Sequence, residues 1–166
     1  MRCFITLIAA ALVAQTLVPH AIAGAPEHLC DLLAANPYDP LRVTKGVDSK
    51  AIDAEQAIIA CSDAVHAHPN ELRFQFQLGR AYRGAANYDK ALYWYRLAAE
   101  AGYAGAQNSL GVMYARGLGL EQSCPNAVQW YLKAAAQGYE IARLNLQSSD
   151  CIKTAALRAT SLNLLI

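Results

Sequence analysis

Residues 110–139 read LGVMYARGLGLEQSCPNAVQWYLKAAAQGY. Shifted by 36 residues, the second half of this stretch falls on an earlier copy: Ala127, Trp130-Tyr131, Ala134-Ala135 and Gly138-Tyr139 superimpose on Ala91, Trp94-Tyr95, Ala98-Ala99 and Gly102-Tyr103. The first half has its copy at a shift of 32, where Leu110-Gly111 and Tyr114 match Leu78-Gly79 and Tyr82. The four extra residues therefore fall between the halves, in Gly117-Leu118-Gly119-Leu120-Glu121-Gln122-Ser123. A partial copy lies further upstream, with Ala57, Cys61, Ala64 and Pro69 standing 34 residues before Ala91, Tyr95, Ala98 and Tyr103. Ala-x₃-aromatic-x₂-Ala puts small and bulky side chains on one helical stripe, and the small ones let a neighbouring helix come close. A helix pair patterned this way cannot bury its own apolar face, so it stacks on the next.

The spacing predicts helices near 26–35, 51–67, 71–84, 88–101, 104–116, 124–138 and 140–147. Pro69-Asn70 closes one helix and opens the next, and Gly102 and Gly138 stand where a left-handed C-cap is wanted. Pro125 suits a first helical turn. Pro37, Pro40 and Gly46 make residues 36–49 a connection rather than a helix.

Leu78-Gly79-x₂-Tyr82, Ala91, Tyr95 and Ala98 resemble a tetratricopeptide repeat of 34-residue type. The second unit, from Leu110-Gly111-Val112-Met113-Tyr114 through Trp130-Tyr131-Leu132-Lys133-Ala134-Ala135-Ala136-Gln137-Gly138, is similar to the related Sel-one-like repeat. Gly117 and Gly119 fit its longer inter-helix loop, where backbone turns need positive φ. The resemblance covers roughly residues 51–147 and implies an all-α fold, an α-α superhelix built as a short α-solenoid of antiparallel helix pairs. It also implies adaptor or scaffold work, often outside the cytoplasm. Gln75 stands where tetratricopeptide repeats commonly carry a large aromatic residue, and only two units are complete where three or more are usual.

Working outward, residues 1–23 read as a secretory signal: Arg2, an apolar stretch from Phe4 to Val18, then Ala21-Ile22-Ala23 as a small-x-small cleavage site. The apolar run of about 15 residues falls short of the roughly 20 a membrane span needs. The chain carries 14 Lys and Arg against 13 Asp and Glu, and losing Arg2 makes that 13 to 13, which offers no footprint for nucleic acid or an anionic membrane. Charged residues are 16% of the 166 and apolar ones 55%, as helix-on-helix packing requires. The organisation expected is a signal at 1–23, a cap helix and connection at 24–50, helical repeats at 51–147, and a C-terminal cap or truncated repeat at 148–166. A periplasmic or secreted location follows.

Four cysteines remain after cleavage, Cys30, Cys61, Cys124 and Cys151, and an even number in an oxidising compartment favours two disulfides among three possible pairings. The half repeat at 51–67 lacks its first helix, so the stripe bearing Cys61 needs a cover, and Pro26–Ala35 with Cys30 is the segment at hand. A Cys30–Cys61 bond would hold it there, worth roughly 3 kcal/mol in the chain-entropy view. Helices of comparable length starting at 124 and 140 bring Cys124 and Cys151 to one end, which favours that pair. The resemblance supports stapled adjacent helices without fixing the pairing. Buried free thiols are the alternative.

First helices line the concave face of such an array, which makes Arg73, Phe76, Gln77, Arg80 and Arg83 of one unit and Asn108, Val112 and Arg116 of the next the binding candidates. Their arginines suit an acidic or carboxylate-bearing peptide. Trp94, Tyr95, Trp130 and Tyr131 recur at repeat spacing and read as core. His66 and His68 lie about 200° apart around a helix, a poor arrangement for a shared metal, and neither metal nor cofactor is expected. The function this supports is non-catalytic binding of a protein or peptide. Relatives rich in cysteine have been described as binding or hydrolysing penicillin-type compounds, but no S-x-x-K, G-x-S-x-G or P-loop occurs here. Self-assembly into an envelope structure is a third possibility.

Overall fold

The computed structural model describes residues 28–148. The expected signal, Cys151 and the expected C-terminal cap or truncated repeat beyond Ser148 lie outside the described residues. Seven helices follow one another: α1 (Leu29–Ala34), α2 (Ala54–Ala67), α3 (Leu72–Gly84), α4 (Tyr88–Glu100), α5 (Ala104–Arg116), α6 (Cys124–Ala136) and α7 (Glu140–Ser148). Each packs on its neighbour in antiparallel pairs, and α1 also reaches α3. The architecture is the expected all-helical array, with boundaries within three residues of those read from the sequence.

Caps explain where the helices begin. Asp53, Asn87 and Ser123 accept from the backbone N–H groups of Gln56, Lys90 and Asn126 at 3.2, 3.2 and 3.4 Å, each satisfying a donor the first turn would otherwise leave open. Pro125 lies in the first turn of α6. Gly102 (φ +99°) and Gly138 (φ +80°) close α4 and α6 in the left-handed region. The same position after α3 is held by Ala86 at φ +55°, the one non-glycine with positive φ among the described residues. Gly117 (φ +65°) and Gly119 (φ +68°) shape the longer loop of the second unit.

Inside each pair the repeated glycine and aromatic residue meet. A Cβ on Gly79 would stand 2.6 Å from the Tyr95 ring, and one on Gly111 would stand 2.5 Å from the Tyr131 ring. The second helix thus lays its tyrosine across the bare backbone of the first. Ala91, Tyr95 and Ala98 are fully buried, as are Ala127 and Ala134 around the nearly buried Tyr131. Trp94 and Trp130 are half-buried at the rim of the same packing.

The N-terminal part departs from repeat geometry. α1 has six residues, too few to persist alone. His28 accepts from the Cys30 N–H at 3.1 Å while Asp31 accepts from the His28 N–H at 3.0 Å, a reciprocal cap. The Cys30–Cys61 disulfide then ties α1 to α2. Cys124 is also disulfide-bonded. From Ala35 the chain runs without helix to Asp53, folding back where Val47 donates to the Ala35 carbonyl at 2.7 Å. Gly46 (φ +81°) permits this fold, since a Cβ there would lie 2.5 Å from the Pro37 nitrogen.

Candidate functional site

α3 is buried from Arg73 to Ala81 without a break. A helix covered on all sides is normally apolar all round. Here Arg73, Gln75, Gln77 and Arg80 are among the covered residues, at 3, 5, 2 and 3% exposure. Polar groups taken out of water at this depth require partners, and for Arg73, Gln77 and Arg80 the α1 segment and its connection supply them.

Asp31, itself fully buried, accepts from the Gln77 amide at 2.9 Å and stands 3.4 Å from Arg73 Nε. Arg80 donates through Nη1 to the Ala34 carbonyl and through Nη2 to the Val47 carbonyl, both at 2.7 Å. Further along, the Tyr103 hydroxyl donates to Asp39 at 2.6 Å, and the Asn36 amide donates to the Tyr139 hydroxyl at 2.9 Å. Burial holds the Asp39 carboxyl above its ordinary pKa, although the Tyr103 hydroxyl and the Leu41 N–H pull it the other way. Burial pushes Tyr103 and Tyr139 up as well, and nearby Asp39 adds to both.

The eight residues expected on an open inner face therefore divide. Arg73 and Gln77 are closed over by residues 28–49, and Phe76 packs in the core with ring centroids 5.9 Å from Tyr95 and 5.2 Å from Tyr103. None of the three stands on a free surface: Asp31 meets the two polar side chains from within the chain, and the repeat core takes up the ring. Arg80 lies at the border, spent largely on backbone carbonyls. Arg83, Asn108, Val112 and Arg116 come together with Arg80 around a pocket of about 230 Å³. Its other walls are Asn36–Tyr38, Asp48 and Ser49 of the connection, Ser109 of α5, and Ile141 and Asn145 of α7. The last two follow the same four-residue spacing that selects Asn108 and Val112, so reading 140–147 as the first helix of a further unit would have found them. The walls from the connection carry no such signal.

Among the described residues no carboxylate lies within ion-pair distance of Arg83 or Arg116. Beneath them the fully buried Tyr95 hydroxyl lies beside Arg83 and Ser109 without a hydrogen bond of good geometry. Burial pushes its pKa up, and Arg83 and Arg80 draw it partly back. Asn145 donates to Asn108 at 2.8 Å, fixing that amide against α7.

The remaining sequence expectations fall as follows. Gln75, where an aromatic ring is usual, is buried and donates to the Pro69 carbonyl at 2.7 Å. His66 Nδ1 is 2.8 Å from the Ser62 carbonyl, and His68 stacks near Phe74 at 5.8 Å. Among the described residues no cluster of three or more His, Cys, Asp or Glu is placed to hold a metal, and no helix is long and apolar enough to cross a membrane.

Compared with known families, residues 73–103 and 104–139 each match the Sel1 repeat. No curated protein and no solved structure matches the chain.

Proposed function

We propose that this chain, with two Sel1 repeats at residues 73–139, is an exported, non-catalytic adaptor that binds a protein or peptide partner. The contact is the uncovered part of the inner face, where Arg83 and Arg116 take an acidic side chain or chain terminus and Asn108 and Val112 flank it. The observation that carries this reading is the pocket itself: two guanidinium groups with no carboxylate in ion-pair reach among the described residues, above a buried Tyr95 hydroxyl short of a bond. Guanidinium forks match carboxylates in geometry and charge.

The shape of the site favours binding of a peptide. The pocket of about 230 Å³ suits one side chain, and Arg83 and Arg116 also line a second opening of about 500 Å³ with Asp48, Ser49 and Lys50, which leaves room for a peptide to continue. Tyr38, Ser49 and Ser109 bring hydroxyls to the pocket and Asp48 a carboxylate, without the Ser-x-x-Lys spacing of a penicillin-type site. The Cys30–Cys61 disulfide supports an oxidising compartment, periplasmic or secreted.

The test is affinity capture from that compartment using the mature protein and its Arg83→Glu/Arg116→Glu variant. Loss of the captured partner with unchanged helicity is the expected result, together with weaker capture as salt rises. Equal capture by both proteins would sink the reading.

A further inference from the structure

We infer that the inner face of α3 is a groove for an acidic, largely non-helical peptide, and that residues 28–49 are its resident occupant. Arg73, Gln77 and Arg80 stand at i, i+4 and i+7, which is one stripe of a helix. In a solenoid that stripe faces the concave side. The segment lying on it is not a missing repeat helix. After the six residues of α1 it leaves helical structure and crosses from α3 to Tyr103 at the start of α5 and Tyr139 just before α7. An element of the array packs on its sequence neighbours, whereas this one runs across three successive units as a bound peptide does.

The contacts have the form of peptide recognition. Arg80 reads two main-chain carbonyls, Ala34 and Val47, which any sequence would present. Specificity comes from two carboxylates eight residues apart, Asp31 against Arg73 and Gln77, and Asp39 against the Tyr103 hydroxyl. The partner chemistry this defines is a segment with two acidic residues at that spacing, the first on a short helical turn and the second after a turn of the chain. Tethering gives the resident segment an effective concentration on the order of millimolar, and the Cys30–Cys61 bond fixes its register. A peptide in trans gains access only when both are relaxed. The groove rests on Arg73, Gln77 and Arg80, while Asn36–Tyr38, Asp48 and Ser49 of the same segment also wall the Arg83 and Arg116 pocket.

The probe is a fluorescent peptide of residues 28–49 with Cys30→Ser, followed by anisotropy. Three full-length proteins are compared: the oxidised chain, Cys30→Ser/Cys61→Ser, and that double variant with Asp31→Ala and Asp39→Ala added to weaken the resident segment. The last should bind at least tenfold more tightly than the oxidised chain, and a probe carrying Asp31→Asn should lose about tenfold or more. A helical last variant that does not bind overturns the inference. Should that variant lose its helicity, an unsubstituted chain with a protease site inserted after Lys50, cut and then reduced, gives the answer. Exchange of its released segment for the probe supports the groove, and failure to exchange while the remainder stays helical overturns it. The Asp31→Asn penalty should persist in an Arg83→Glu/Arg116→Glu background, whatever that pair does to overall affinity through Asp48, which shares its pocket. Loss of the penalty there would refute the assignment to α3, while failure of partner capture alone would leave the groove standing.

Discussion

Replacing Gly79 by alanine adds one carbon to the middle of α3, a change that helix propensity alone favours by about 1 kcal/mol. The packing opposes it. The new Cβ would lie 2.6 Å from the ring of Tyr95, which is fully buried, where relaxed carbon contacts sit near 3.5–4.0 Å. About 1 Å of movement must be found by a ring that is itself held against Phe76. Overpacking of this kind costs about 1–3 kcal/mol, so Gly79→Ala should forfeit the propensity gain and lose up to about 2 kcal/mol net, lowering Tm by as much as about 8 °C. Gly84, five residues on in the same helix, is the internal control. It is exposed, and a Cβ there meets nothing closer than 3.6 Å, so Gly84→Ala should be neutral or stabilising. Urea unfolding followed by circular dichroism measures both. Shrinking the partner in Gly79→Ala/Tyr95→Leu should abolish the penalty, giving a coupling of about 2 kcal/mol in a double-mutant cycle. Gly111→Ala against Tyr131 should repeat the pattern. If Gly79→Ala stabilises as much as Gly84→Ala, the idea that the repeated glycine exists to admit the tyrosine ring is wrong.

Other outcomes follow from the same structure. Reducing the Cys30–Cys61 bond, which closes a separation of 31 residues, should cost about 3–4 kcal/mol, read as the shift in urea midpoint between Cys30→Ser/Cys61→Ser and the oxidised chain. Because burial raises the Asp39 carboxyl above its ordinary 3.8, the folded state holds that proton more tightly than the unfolded state. Stability should therefore fall as pH rises from about 3.8 through the folded value, then level off; Asp39→Asn should remove that slope in midpoints measured across the acid range. Ala86 carries the positive φ that Gly102 and Gly138 carry elsewhere, so Ala86→Gly should stabilise by up to about 1 kcal/mol, and a lower Tm would contradict the strain assigned to it.

The helices were legible from their breakers, from the caps at Asp53, Asn87 and Ser123, and from stripes of the right period, and the internal repeat fixes which stripes face each other. Tyr95 and Tyr131 could be placed in the core from their spacing alone. Cys30 and Cys61 could be paired because the uncovered stripe of α2 left a single nearby segment to cover it. The inner face was harder. Arg73, Gln77 and Arg80 look like any solvated polar stripe, and their burial depends on where a proline-containing connection travels. That path is set by main-chain carbonyls at Ala34 and Val47, which every residue owns and no side chain advertises. Phe76 misled for the opposite reason: an aromatic residue beside arginines suits a binding face as well as a core, and only the positions of Tyr95 and Tyr103 separate the two.

The crossing segment also changes how the molecule should unfold. A plain array of helix pairs has contacts between neighbours alone, so it can fray one unit at a time from its ends. In this chain Asn36 bonds to Tyr139, 103 residues away, and Asp39 bonds to Tyr103, 64 residues away. Loss of the last unit then breaks contacts made by the first, and the ends cannot open independently. Such a closed circuit turns a graded process into one concerted transition, and it makes folding wait on the closure of a long loop.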